Sequence, residues 1–296
     1  MVSPSLNDRV LGCIVGGALG DAIGSCYEGV EPPQDLVIPD RLRISDDTQM
    51  TVATCESFVE HGVVTPKSVA EHFLRWHRGR RITGLGASTL KALTELEVGG
   101  HWATVGAVGE RAAGNGAAMR IAPLAFVLDP DDDLQRQVIR DVCRITHRHD
   151  EAYLGALAIV RVIRNVLAGS SLDETLISSV VARLPDSRVR DRLHGLLNTS
   201  MTVRQYGDTF GATGYVVDSV PLAILAAVRS ASFMSTVDSI VKCGGDTDTV
   251  ASMFGQIFGA AHGIDSLPRD LVARIDAIEM IQNVASGFYS CVSLGS

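Results

Sequence analysis

Two short stretches of this chain gather side chains that bind hard metal ions. Asp246 and Asp248 alternate with Thr247 and Thr249, and far upstream Ser45, Asp46, Asp47 and Thr48 are adjacent. Carboxylates and hydroxyls in this density suit Mg²⁺, Mn²⁺ or Ca²⁺ and suit zinc poorly. Each stretch opens a helical pattern, so a plainer role is available: an acid at a helix start caps free N–H groups and answers the dipole. Capping needs one oxygen per helix, however, and both clusters offer several. Two such clusters from distant parts of one chain point to a shared cation.

Other candidates are weaker taken singly. Gly114-Asn115-Gly116 is compatible with a tight hairpin turn, but its flanks read as helical. An anion nest in front of a helix beginning near Ala117 fits better and would let an acidic protein hold a diphosphate. His147, at a helix end after Thr146, is compatible with a cap or surface histidine as well as a functional one. Glu28, after Tyr27, reads as a loop residue unless the metal site draws it in. Asp21 reads as an ordinary helix-end carboxylate.

The elements that must position these groups follow from periodicity. Asn7 can cap a first helix running to about Gly24, in which Gly12, Gly16, Gly20 and Gly24 recur every fourth residue. Glycine costs up to ~1 kcal/mol per helical position relative to alanine, so four in register imply a groove for a closely packed second helix. The run after Asp248 carries Val250, Met253, Phe254, Ile257, Phe258 and Ala261 on one stripe and stops at Gly263. Gly244 and Gly245 before it let the backbone turn sharply. Asp46 and Asp47 begin a helix to about Glu60, and Thr65-Pro66 caps the next. Gly84-Leu85-Gly86 opens another, helices end near Thr146-His147 and Gly169, and Ser171 with Glu174 reads as a capping box. Further helical patterns cover roughly 186–199, 217–230, 235–242 and 268–286. Strand alternation is nearly absent. With no linker or fixed repeat, residues 1–296 read as one compact all-α domain, an orthogonal bundle with its metal centre at helix N-termini.

Composition narrows the partners. The formal net charge is −8, which argues against nucleic acid or an acidic membrane as partner. No apolar run approaches the ~20 residues of a membrane helix. Six cysteines without a Cys-x-x-Cys pair read as reduced thiols of a cytoplasmic protein. An anionic substrate would need a bound cation or helix N-termini to be held.

Together Gly20-Asp21-Ala22-Ile23-Gly24, Ser45-Asp46-Asp47-Thr48-Gln49-Met50, Gly114 to Arg120, Thr146-His147 and Gly244 to Thr249 resemble, in order, the motifs of the ADP-ribosylglycohydrolases. That family includes the dinitrogenase-reductase-activating glycohydrolases and the ADP-ribosyl-acceptor hydrolases, and the resemblance spans nearly the whole chain. The segment through Tyr27-Glu28 looks most like the serine-directed branch, in which a mobile loop carries a glutamate over two Mg²⁺ ions. The resemblance implies Ser45, Asp46, Asp47, Asp246, Asp248 and Thr249 as metal ligands, with Mn²⁺ as an acceptable substitute. It implies Glu28 as the flap glutamate, catalytic alongside Asp47 and Asp248. It places the diphosphate on the backbone of Ala113, Gly114, Asn115 and Gly116, and the ribose near His147. One departure is visible: Ala113 stands where that branch has an aromatic residue for adenine. The implied activity is hydrolysis of the bond between ADP-ribose and a protein acceptor, serine O-linked in preference to arginine N-linked. The alternatives are a hydrolase of a small ADP-ribosyl or nucleoside metabolite and a non-catalytic ADP-ribose binder.

Overall fold

A computed structural model describes residues 3–294, and among these every regular element is helical. The α-helices run α1 (Leu6–Gly24), α2 (Asp46–His61), α3 (Pro66–Arg78), α4 (Ala87–Glu97), α5 (Trp102–Val105), α6 (Asp133–Arg144), α7 (Asp150–Leu167) and α8 (Glu174–Arg183). They continue as α9 (Arg188–His194), α10 (Val203–Phe210), α11 (Val216–Val228), α12 (Phe233–Val241), α13 (Thr247–His262), α14 (Arg269–Val272) and α15 (Ile278–Leu294). The all-α expectation holds, and no helix among the described residues is long and apolar enough to cross a membrane. The six cysteines are free thiols.

The centre is the antiparallel pair α1 and α13. A Cβ built on Gly12, Gly16 or Gly20 would lie 2.4, 2.5 or 2.0 Å from the carbonyl oxygens of Gly259, Gly255 and Ala251 in turn. From the other side, Gly255 and Gly259 meet the carbonyls of Gly16 and Gly12 at 2.1 and 1.8 Å. The two backbones therefore touch along a seam that admits no side chain. The seam runs out at Gly24, against the backbone of Thr247 and Asp248, and the Thr247 hydroxyl donates to the Gly24 carbonyl at 2.8 Å. Close packing thus delivers the end of α1 to the start of α13. Both helices are buried around nearly their whole circumference, so α13 is not the one-sided amphipathic helix its apolar stripe implies. Helices α2, α7, α11, α12 and α15 surround the pair. Phe233, Phe254 and Phe258 fill one side of this core with ring centroids 5.4–5.6 Å apart.

Local chemistry sets several boundaries differently from the sequence pattern. Ser5, not Asn7, caps α1, in a reciprocal box with Asp8. Asp173 caps α8 through the Thr175 N–H, displacing the expected box from Ser171. Thr65 and Pro66 begin α3 as expected, with Ser68 completing a capping box. Pro221 sits inside α11. The Tyr206 hydroxyl, reaching in from α10, lies 3.0 Å from the Asp218 carbonyl and 3.5 Å from that of Val217, the acceptor left free where proline has no N–H.

Candidate functional site

Three chain segments converge at the end of the α1–α13 seam. Gly244 and Gly245 both adopt the left-handed conformation, φ +69 and +74, and a Cβ on Gly245 would lie 2.2 Å from the Ala212 carbonyl. This turn launches α13, and the Asp246 N–H donates to the same Ala212 oxygen at 2.7 Å. The Asp246 side chain does not cap α13. It accepts instead from Asn115 Nδ2 at 2.7 Å. Likewise α2 is capped by the Ser45 hydroxyl, which accepts the Asp47 N–H, so Asp46 and Asp47 are free of capping duty. Capping therefore does not account for the acids.

Asp21 is the residue that sequence reasoning undervalued. It is fully buried, and both its oxygens accept the Ser45 N–H at 3.0–3.1 Å. It also takes the Thr48 N–H at 3.2 Å, the Thr48 hydroxyl and the Ser25 hydroxyl. One carboxylate at the end of α1 thus fixes the start of α2. Asp21, Asp47 and Asp248 bring carboxylate oxygens within 4.8 Å of one another, as do Glu28, Asp246 and Asp248. The signal was present in the glycine register: Asp21 follows Gly20 directly and precedes Gly24, where the seam meets the start of the partner helix.

The electrostatics of this cluster call for positive charge. Burial, reinforced by the neighbouring carboxylates, raises Asp46 to about 7 and Asp248 to about 9. Asp47 is driven well above the carboxylate range by the same two causes. Burial raises Asp21 as well, against the pull of its hydrogen bonds. Glu28, exposed at the rim, is raised by desolvation and then by the charges of Asp246 and Asp21. Asp47 Oδ1 is buried without a hydrogen-bond partner among the described residues. Its Oδ2 accepts from the Ser45 and Thr249 hydroxyls, each at 3.2 Å. An orphaned carboxylate oxygen among mutually repelling acids, lined with hydroxyls, fits a hard divalent cation. The cluster can hold a metal ion.

Above the acids lies a cavity of about 530 Å³ lined by Glu28, Asp46, Asp47, Asp246, Asp248 and Thr249 on one side. Gly114, Asn115, Gly116, Met119 and His147 form the other, and Gly84, Gly86 to Thr89, Arg111, Thr213 and Gly214 complete the wall. Gln256 of α13 and Thr51 of α2 both donate to the Met119 carbonyl, tying that opposite wall to the two acid-bearing helices. The expected helix at Ala117 is absent: Asn115–Ala117 is a single 3₁₀ turn. Neither Gly114 nor Gly116 has positive φ. Glycine is needed there because a Cβ would meet the His147 ring at 3.1 and 2.8 Å. The N–H groups of Ala113 and Asn115 are engaged by the Glu110 and Gly214 carbonyls, and Ala113 is buried outside the cavity lining.

His147 is buried against this turn. Desolvation and then the charge of Arg120 hold its imidazole down at about 3, so the ring is neutral. The Glu28 segment is held more firmly than a free flap. Gly29 N–H donates to the Gly245 carbonyl at 3.1 Å, and the Tyr27 hydroxyl bridges the Val37 backbone across the 25–45 loop.

An all-helical protein with acids from three helix ends under one cavity is the class that fold and site define. The chain belongs to the ADP-ribosylglycohydrolase family, whose profile matches residues 2–293. It is 26% identical to the ADP-ribosyl-[dinitrogen reductase] glycohydrolase of Rhodospirillum rubrum, with 93% of each chain covered. It is 26% identical to the ADP-ribosylarginine hydrolase Tri1 of Pseudomonas putida, covering 95% of this chain and 78% of that one. It is 25% identical to the human ADP-ribosylhydrolase ARH3, covering 95% and 93%. Likenesses this even do not place the chain in a serine- or an arginine-directed branch. Among solved structures, an ADP-ribosylglycohydrolase-related protein complex superposes with a TM-score of 0.72 at 24% identity, covering 97% of this chain and 98% of that one, and shares the fold.

Proposed function

We propose that the protein is an Mg²⁺-dependent hydrolase that releases ADP-ribose from a modified protein, with serine O-linked acceptors favoured. The observation that carries this reading is the orphaned Asp47 oxygen among raised carboxylates on the floor of a cavity whose opposite wall is Gly114–Gly116 and His147. Ser45, Asp46, Asp47, Asp246, Asp248 and Thr249 would hold two Mg²⁺ ions, and Asp21 joins them by position. When bound, such ions supply positive charge that polarises the oxygens they contact and draws an anionic substrate into an acidic protein.

The chain's own groups account for the remaining requirements. A glycosidic bond to ribose breaks through an oxocarbenium-like transition state, and the departing oxygen needs a proton. Glu28 stands at the rim with its carboxyl raised, which suits proton transfer or the orientation of water. Neutral His147 offers an N–H to a ribose or diphosphate oxygen. The diphosphate falls to Gly114 and Gly116, with Arg111 as the guanidinium in the cavity lining.

The serine preference rests on what the cavity offers an acceptor. Its acids, Glu28, Asp46, Asp47, Asp246 and Asp248, all belong to the metal cluster, which leaves no separate carboxylate pair to clamp a guanidinium. Arg111 would repel one. Side-by-side time courses with Mg²⁺ on serine-linked, arginine-linked and small-molecule ADP-ribosyl substrates test the reading. Fastest release from serine is expected. Faster arginine cleavage overturns the preference, and turnover confined to the small molecule overturns the protein acceptor.

A further inference from the structure

Arg120 is fully buried, yet no carboxylate forms an ion pair with it among the described residues. Desolvation lowers its guanidinium only to about 10, so it stays charged. It lies over the Phe73 ring at 4.8 Å and donates to the Gly116 carbonyl and, at 2.7 Å, to the Thr146 hydroxyl. Its Nε has no hydrogen-bond partner among the described residues. A buried cation so sparsely compensated is a poor device for stability. Both of its acceptors, however, belong to segments that pack on His147.

We propose that Arg120 and Thr146 are positioning residues that fix His147 as the Nε2–H tautomer, aimed as a hydrogen-bond donor at the substrate. Arginine only donates, so the Thr146 oxygen is an acceptor toward Arg120. The Thr146 proton must then go elsewhere, and His147 Nδ1 lies 2.7 Å from that oxygen. No other acceptor for it is found among the described residues. Nδ1 therefore accepts, and the ring proton resides on Nε2. Nε2 has no protein partner among the described residues, and it lies beside Gly114 and Gly116, where a Cβ would come within 3.1 and 3.3 Å of it. The two glycines leave that N–H uncovered toward the cavity that His147 lines. The Arg120 bond to the Gly116 carbonyl locks the same turn, so ring and turn move as one unit. The relay runs from a permanent cation through a hydroxyl to the imidazole, and it forbids the other tautomer without ionising the ring.

The substrate end of this inference rests on the proposed function; the tautomer does not. Long-range ¹H–¹⁵N correlation spectra of ¹⁵N-histidine-labelled full-length protein, with His147 assigned by the missing signal of His147→Asn, read the tautomer directly. ADP-ribose titration reads binding. The wild type should show Nδ1 unprotonated and Nε2 protonated. Thr146→Ser should keep both that pattern and the affinity. Thr146→Val should lose the single tautomer and weaken ADP-ribose binding by about tenfold, the size of one hydrogen bond misdirected. A wild-type ring protonated at Nδ1, or Thr146→Val with unchanged tautomer and affinity, overturns the relay. The expected tautomers without any ADP-ribose binding would sustain the relay and overturn the substrate reading instead, and wild type against Thr146→Ser decides the matter should Thr146→Val fail to fold.

Discussion

Asp248 shares both carboxylate clusters, and its Oδ1 accepts the Thr249 N–H at 2.8 Å. Asparagine keeps an oxygen for that bond but removes the charge a divalent cation needs. Asp248→Asn is therefore expected to abolish hydrolysis and weaken Mg²⁺ binding with an unchanged helical circular-dichroism spectrum. Undiminished metal affinity and turnover would return Asp248 to a purely structural role. Glu28→Gln keeps the shape of the rim and deletes the proposed proton-transfer group. Turnover should drop by roughly 10²–10⁴-fold with ADP-ribose affinity little changed, and a variant of near-full activity would remove Glu28 from the chemistry. The acids of both clusters were legible in the sequence because they are contiguous and exceed what caps require. Asp21 was not, because a lone carboxylate one residue past a helical glycine looks like any helix end. Only the fold reveals that it takes two N–H groups from the start of α2. The wall opposite the acids misled in another way. Its glycines suggested backbone freedom, whereas they serve the close approach of His147.

At the scale of elements, the glycine seam decides where the site is. Gly20→Ala would drive a Cβ to 2.0 Å from the Ala251 carbonyl, between two backbones that cannot yield separately. The helices must part, moving Asp21 away from Asp248. The expected loss is ~3 kcal/mol or more, at the severe end for single substitutions, read as a lowered melting temperature together with weaker Mg²⁺ binding. Gly86→Ala is the control: its φ is −63 and nothing lies within 4 Å, so the loss should not exceed the ~1 kcal/mol of a changed N-cap. Equal stability of the two variants would mean that the seam tolerates side chains. Periodicity made this seam readable because four glycines at every fourth position have few other uses. It failed for α10, an eight-residue helix that contains Gly207. That glycine is dictated by Cys243 in the turn after α12, whose sulfur would sit 2.6 Å from a Cβ there, a tertiary reason invisible in the local pattern.

For the whole molecule, a net charge of −8 and a buried nest of carboxylates work against each other until cations are bound. Asp46 and Asp248 are held at about 7 and about 9, above their unfolded values of ~4. Between those limits the native state binds more protons than the unfolded chain. The stability of the metal-free protein therefore falls as pH rises from ~4 to ~9. Mg²⁺ must displace those protons, so its affinity should climb across the same window, and the rise in melting temperature on adding Mg²⁺ should be larger at pH 8.5 than at pH 6. An Mg²⁺ increment that shrinks as pH rises would mean that these carboxylates are not the ligands. Calorimetric titration of Mg²⁺ into chelator-treated protein at pH 7.5, repeated in buffers of different ionisation enthalpy, tests the metal centre most directly. Saturable binding with proton release, severely weakened in Asp248→Asn, is the predicted result. No binding up to millimolar Mg²⁺, or binding without proton release that Asp248→Asn leaves intact, would contradict it.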